Sequence, residues 1–359
     1  VAVIRLELAL QGGGAHGAFT WGVLDCLLDE AEIEIVAISG ASAGAVNAII
    51  LAHGLTQAGH AGAQRALWQF WKNVSRAAHA ARLAAGPFGA LLGPAAAVPQ
   101  WAPFALWSVT QAAWRAFAEA TVGGLGGSTA IAQDLNPLRR LLAEAVDFER
   151  LRGAAAPRLF LSATDVATGE LRVFRNAELS PEVVLASACL PQIFRAVEIE
   201  GRPYWDGGYL ANPPLAPLIA ESDAHDLLIV QLNPPERRDA PRGATEVAAR
   251  LNEIVFNASL VNELRAIGTL QRALAAGGPS TAGGEPLFRR LAGLRLHRIS
   301  ADESVFALGD RGRLNPEWSY LQRLHRQGAE AAERWLAHHR EDLGRHATLR
   351  LAPDGEISP

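Results

Sequence analysis

Residues 8–22 read LALQGGGAHGAFTWG, with three consecutive glycines directly behind an aliphatic run. Gly12, Gly14 and Gly17 match G-x-G-x-x-G, the spacing that lays a dinucleotide pyrophosphate on a helix N-terminus. The same bare N–H groups would equally suit a developing oxyanion. Both readings require a strand, a tight turn and a helix. VIRLELAL supplies the strand, and GAFTWGVLDCLLDE supplies a helix with Val23, Leu24, Leu27 and Leu28 on one stripe. IEIVAIS follows as a second strand, and AGAVNAIILAHGL as a second helix with Gly54 as its expected C-cap. Strand, helix and strand joined by short connections predict a parallel sheet with helices on its faces.

The second strand separates the two readings. A dinucleotide fold needs an acidic residue at the carboxyl end of that strand for the ribose hydroxyls. Glu32 and Glu34 stand at its beginning, and its end carries SGASAGA. Within it GASAG, residues 40–44, fits G-x-S-x-G. This pattern holds a serine on a sharp strand-to-helix turn with its hydroxyl above the sheet. Gly40 and Gly44 let strand and helix approach closely, and the helix N-terminus under Ser42 offers N–H groups to nascent negative charge. Neighbouring parallel strands ending at Gly12-Gly13-Gly14 and at Ser42 would set those amides beside the hydroxyl.

A serine nucleophile needs a base. Among the ten histidines, His297 in LRLHRIS is the one triad candidate, since Ser42, Asp206, His297 follows the α/β-hydrolase order. Against it, the nucleophile arrives after only two strands, and His297 reads as a strand wall residue. Asp206 in YWDGGYLANPP is the better base. It is presented by a tight turn in which the Gly207 and Gly208 N–H groups are free to hold its carboxylate.

The rest of the chain bounds the class. With 359 residues, 33 Lys+Arg, 37 Asp+Glu and a formal net charge of -4, it offers no basic face of the kind nucleic acid demands. Two cysteines, Cys26 and Cys189, make neither a metal set nor a disulfide framework and read as small buried apolar residues. No signal peptide is visible, so the expectation is a cytoplasmic protein. From 83 to 114 no charged residue occurs, but Pro87, Pro94, Pro99 and Pro103 interrupt any continuous helix. That segment reads as a buried packing element or as an apolar lid that meets a membrane surface through Phe88, Trp101, Phe104, Trp107 and Trp114. TVGGLGGST (121–129) reads as a hinge. NPLRRLLAEAVDFERL reads as one helix with Asn136 as N-cap. A long helix from about 245 to 276 carries Val247, Leu251, Ile254, Val255, Ala258, Val261 and Leu264 at three- and four-residue steps, the pattern of a core-facing stripe. A last amphipathic helix runs through Leu321, Leu324, Ala331 and Leu336.

QGGGAHGAF, GASAG, ASACLPQIF and DGGYLANPP, in this order, resemble the patatin-like phospholipase family from about residue 5 to 235. The resemblance implies an α/β three-layer sandwich with a mostly parallel central sheet and a lid-like insertion at about 80–130. It implies a catalytic domain over 1–310, with 311–359 as a C-terminal helix and tail packed on it. By the same resemblance Ser42 is the nucleophile, Asp206 its dyad partner, and Gly12, Gly13 and Gly14 the oxyanion hole, with no metal or cofactor. ASACLPQIF shapes the acyl site. The family's glycine block often opens with Asp and carries Arg or Lys before its last glycine; here those places hold Gln11 and His16. The expected function is a serine lipid acyl hydrolase of phospholipase A or esterase type, acting on a lipid ester with peripheral membrane contact through 83–114. Acyl transfer, a thioesterase, a catalytically idle lipid binder and a nucleotide-binding protein are the alternatives.

Overall fold

A computed structural model describes residues 3–84, 137–153, 155–191, 194–234, 240–277, 286–302, 312–351 and 357–358. Eight strands form one mixed sheet: β1 (Ile4–Leu10), β2 (Ile33–Gly40), β3 (Arg158–Asp165), β4 (Leu171–Arg175), β5 (Val197–Ile199), β6 (Arg202–Asp206), β7 (Asp226–Gln231) and β8 (Arg295–Ser300). The order is β5-β6-β3-β2-β1-β7-β8, with β4 also on β3. Strands β3, β2, β1, β7 and β8 run parallel, while β4, β6 and β5 add antiparallel pairings. Strand β7 is buried along its whole length, as expected where helices cover both faces of parallel strands.

Alternation along β1 assigns the layers. Leu6, Leu8 and Leu10 join the larger core with α1 (Gly17–Leu28), α2 (Ala43–Ala84), α3 (Pro181–Ser187) and, beyond them, a long late helix. Ala9 points the other way, into a smaller core with Leu218, Leu260, Leu264 and Ile267. Leu260, Leu264 and Ile267 belong to α4 (Ala244–Ala275). The late helix is α5 (Trp318–His339), which covers α1. The crossing is too tight for side chains: a Cβ at Gly22 would collide with the His325 carbonyl oxygen, and one at Gly328 with that of Phe19. That cover explains why α1 is buried almost all round rather than on one stripe.

Four expectations need correction or placement. Gly54 does not end its helix. Helix α2 runs through it and breaks at Ala58 and Gly59, where Gly59 takes φ 57. The chain then folds back so closely that a Cβ on Gly54 would collide with Ala63. Gly54 is therefore a contact glycine, not a cap. The helix expected from Asn136 onward divides into Pro137–Ala145 and Phe148–Arg152, because Asp147 accepts the Arg150 amide and starts a second helix. The first four members of the stripe expected on α4, Val247, Leu251, Ile254 and Val255, face outward, with Leu251 57% exposed. Of the expected stripe Ala258 is exposed, Val261 is half-buried and Leu264 alone reaches the core, where it lies with Phe256, Leu260 and Ile267. The apolar segment beyond Ala84 and the 121–129 stretch lie outside the described residues. Among the described residues no helix is long and apolar enough to cross a membrane.

The α1–α5 crossing has a direct test. Gly328→Ala forces a methyl group against backbone that cannot move aside, so a loss of about 1–3 kcal/mol is expected in denaturant unfolding. A midpoint unchanged from wild type would contradict this packing.

Candidate active site

Pairing along β3 brings the two catalytic candidates to one place. Phe160 pairs with Ser39 of β2 on one side and with Arg175 of β4 on the other. Three residues on, Ala163 pairs with Arg172 of β4 and with Asp206 of β6. Because β4 occupies one edge throughout, β2 and β6 share the opposite edge. They arrive from opposite directions, and their carboxyl ends face each other. Gly40 closes β2 opposite Leu161, and Asp206 closes β6 opposite Ala163. Ser42 follows two residues after Gly40.

Ser42 sits on the turn into α2 with φ 53, a conformation strained for any side chain but glycine. The strain is held from several sides. The Ser42 N–H donates to the Ser187 carbonyl at 3.1 Å and to its hydroxyl at 3.2 Å. Beneath it, a Cβ at Gly44 would collide with the Leu10 carbonyl, and one at Gly40 would come within 2.6 Å of the Gly44 backbone. Both glycines are thus required by close approach rather than by φ. Ser42 itself is 8% exposed.

Asp206 is fully buried. Its Oδ1 accepts the Gly208 N–H at 2.7 Å, its own N–H donates to the Cys189 carbonyl at 2.8 Å, and its carbonyl accepts from the Thr164 hydroxyl at 2.9 Å. Oδ2 has no closed hydrogen bond. Burial pushes this carboxyl up to about 7, while the Gly208 amide and the neighbouring Ser42 hydroxyl pull it back toward ionisation. The hydroxyl therefore lies within electrostatic reach of the carboxylate without a closed bond to it. Gly207 and Gly208 leave room for this turn: a Cβ on the first would collide with Ser162, and one on the second would press within 2.5 Å of the Phe256 ring.

The three loop glycines have different duties. Gly12 lies against the nucleophile, where a Cβ would stand 2.6 Å from both Ala41 O and Ser42 Cβ. Its N–H is taken by Asn212 Oδ1 at 2.7 Å, so it is a spacer rather than a free donor. The Gly13 and Gly14 amides have no acceptor among the described residues. Gly14 has φ 61, and a Cβ there would collide with the Arg313 carbonyl. Two open amides that directly follow Gly12, the residue packed against Ser42, are groups that can receive a tetrahedral oxyanion.

Gln11 and His16 are both built into this loop. Gln11 is fully buried, accepts the Leu232 and Asn233 N–H groups at 2.8 and 2.7 Å, and donates to Asn257 Oδ1 at 2.8 Å. A carboxylate at position 11 could accept the first two bonds but not make the third. His16 is buried, and burial, with the Arg313 cation adding to it, pushes its imidazole down to about 3. It is neutral. His297 is bonded to Asp226 Oδ1 and to the Thr348 hydroxyl, both at 3.1 Å, and serves to fasten the C-terminal segment to β7 and β8 rather than to meet Ser42. Cys189 is buried, donates to the Arg195 carbonyl at 2.9 Å, and has its thiol pushed up by burial to about 11; Cys26 is half-buried. Among the described residues no cluster of three His, Cys, Asp or Glu side chains is arranged to hold a metal ion.

Sequence reasoning missed Asn212, Asn233, Ser187 and Thr164. Asn212 stands inside the quoted DGGYLANPP, but its contact with Gly12 spans 200 positions of chain.

Comparison with known proteins adds two findings. A family model described as patatin-like phospholipase matches residues 8–219. Two solved structures are similar: VipD from Legionella pneumophila, 16% identical with a TM-score of 0.43, and the ExoU–SpcU complex of the type III secretion system of Pseudomonas aeruginosa, 20% identical with a TM-score of 0.32. Each alignment covers 94% of this chain, and 67% and 60% of the respective neighbours. No curated protein sequence matches.

The buried carboxylate makes a stability prediction. A folded pKa raised from 3.8 to about 7 means that wild type loses stability as pH rises between those values. Asp206→Asn keeps an acceptor for Gly208 and removes the charge. Its melting temperature should exceed that of wild type at pH 8, with the gap closing toward pH 4. A variant less stable than wild type at pH 8 would contradict the environment assigned to Asp206.

Proposed function

The chain belongs to the patatin-like phospholipase family, and from that premise we propose that it is a serine lipid acyl hydrolase working through a Ser42–Asp206 dyad. The observation that carries this reading is the end-to-end meeting of β2 and β6, which sets a strained serine beside a buried carboxylate.

The reaction follows from the groups present. Ser42 Oγ attacks the ester carbonyl while Asp206 Oδ2 takes its proton, and the Gly13 and Gly14 N–H groups receive the negative charge on the carbonyl oxygen. Collapse breaks the bond to the alcohol, which leaves with the proton from Asp206, and Ser42 carries the acyl group. Water then gives a proton to Asp206 and its oxygen to the acyl carbon. Collapse of the second intermediate releases the fatty acid and returns the proton to Ser42. A carboxyl near pH 7 is suited to both halves, since it binds and releases a proton at similar cost.

Lipid substrate arrives from an aggregate, and an exposed apolar surface beside the site would meet it. Val247, Leu251, Ile254 and Val255 provide one on α4. The same helix carries Phe256, whose ring lies 5.1 Å from that of Tyr209 in the catalytic turn. Residues 85–114 of the apolar segment expected to meet a membrane lie outside the described residues.

A fluorophosphonate probe should label the folded protein, and Ser42→Ala should abolish labelling and fatty-acid release together. Labelling that persists in that variant would remove Ser42 as nucleophile. Wild-type kcat/KM should fall as pH drops through about 7, because protonated Asp206 cannot accept the serine proton. Leu251→Asp should lower hydrolysis of vesicle lipid about tenfold while leaving a soluble short-chain ester within twofold of wild type; each charge brought to an apolar interface costs on the order of 1 kcal/mol or more.

A further inference from the structure

We propose that Asn212 and Asn233 are positioning residues, a two-sided amide clamp on Gly12 that aims the N–H groups of Gly13 and Gly14 at the carbonyl to be attacked. The inference rests on the reading of those amides as the oxyanion site.

Peptide geometry supplies the argument. In a planar trans peptide the C=O of one residue and the N–H of the next point in opposite directions. Whatever holds the Gly12 carbonyl therefore sets the direction of the Gly13 N–H. Asn233 Nδ2 donates to that carbonyl at 3.4 Å. The Gly13 carbonyl accepts the His16 N–H at 3.3 Å, which in turn sets the Gly14 N–H. On the other side of Gly12, its own N–H is held by Asn212 Oδ1 at 2.7 Å. With both of its peptide planes held, a glycine that is otherwise free in φ and ψ becomes rigid.

The partners of each asparagine fix which way its amide is turned. Asn212 Nδ2 donates to the Phe256 carbonyl at 3.1 Å, so its oxygen is left for Gly12. Asn233 Oδ1 accepts from Arg313 at 2.5 Å, and an arginine can only donate, so the Asn233 NH2 group is the one turned toward Gly12. Both asparagines are then tied to Gln11. Its Nε2 donates to the Asn212 carbonyl at 3.3 Å, and its Oε1 accepts the Asn233 N–H at 2.7 Å. Asn212 is also six residues beyond Asp206, with Ala211 between held by the Ser162 hydroxyl at 2.9 Å. The clamp thus sets the distance from the base turn to the glycine loop. Among the described residues neither asparagine is hydrogen-bonded to Ser42 or Asp206.

The test compares wild type, Asn212→Ala and Asn233→Ala on a matched pair of substrates, an ester and its thionoester. Sulfur is a weak hydrogen-bond acceptor, so the ratio of their rates reports how well the amides are aimed. Asn212→Ala should lower kcat on the ester by about 10- to 100-fold with KM within twofold, and should bring the ester-to-thionoester ratio toward one. Asn233→Ala, which removes the longer bond, should do the same to a smaller extent and provides the measurement if the first variant does not fold. An equal fall on both substrates, or a kcat within threefold of wild type, would overturn the proposal. Amide hydrogen exchange reads the clamp independently: Gly12 should be protected in wild type and exchange at least tenfold faster in Asn212→Ala, and equal protection in the two would also overturn it. If wild type hydrolyses no ester, the hydrolase reading fails, and the exchange measurement still decides the clamp.

Discussion

Each edge of a strand can pair its hydrogen-bonding groups only once, and along one edge of β3 they are divided between β2 and β6. This division places the site. Two strands that share an edge and approach from opposite directions must stop short of each other, and the residues just past their ends are pressed into one small volume. Ser42 and Asp206 are those residues. The break also leaves backbone groups unpaired at the junction, and α3 with the chain after it satisfies them: Ser187 takes the Ser42 amide and Cys189 takes that of Asp206. One short segment therefore holds both residues of the proposed dyad.

The second constraint is the cost of a buried charge. Among the described residues no basic side chain stands against Asp206, and its ionised form is supported by one amide and a neighbouring hydroxyl. A cation would make the carboxylate easier to bury and a poorer base, since it would lower the pKa. The surroundings of Gln11 follow the same economy: an uncharged amide makes the bonds that the loop needs without placing a second negative charge near the proposed oxyanion site. Burial acts on both groups alike, holding the His16 imidazole neutral and raising the Asp206 carboxyl. Among the described residues, then, peptide groups and neutral amides line the turn around Ser42 and Asp206, and the Arg313 cation stands on the far side of Asn233 and Gly14.

The parts legible in the sequence were those that demand a missing side chain. Gly40, Gly44, Gly207 and Gly208 each stand where a Cβ would collide or press hard on a neighbour, and such glycines cluster around Ser42 and Asp206 in compact motifs. The aliphatic run of β1 was equally readable, because burial on two faces leaves a local pattern. The clamp was not readable, since Gln11, Asn212 and Asn233 are ordinary amides until folding brings them together. Gly12 was read as a donor when its N–H is already engaged, a distinction that depends on a residue 200 positions away. On α4 the periodicity was real but its direction was not recoverable: Val247, Leu251, Ile254 and Val255 form as good a stripe as Phe256, Leu260, Leu264 and Ile267, and only the sheet decides which one is covered.

The α1–α5 crossing bears on how the molecule is made. Asp25 of α1 and His325 of α5, joined at 2.8 Å, are separated by 300 positions. At a synthesis rate of about 5–20 residues per second, α1 leaves the ribosome roughly 15–60 s before the helix that covers it. For that interval its outer face, including Trp21 and the bare contact at Gly22, has no cover from its final neighbour. The helix that follows the glycine loop waits through 300 positions of synthesis for the one that covers it, and its uncovered apolar face is open to aggregation and chaperone capture until then.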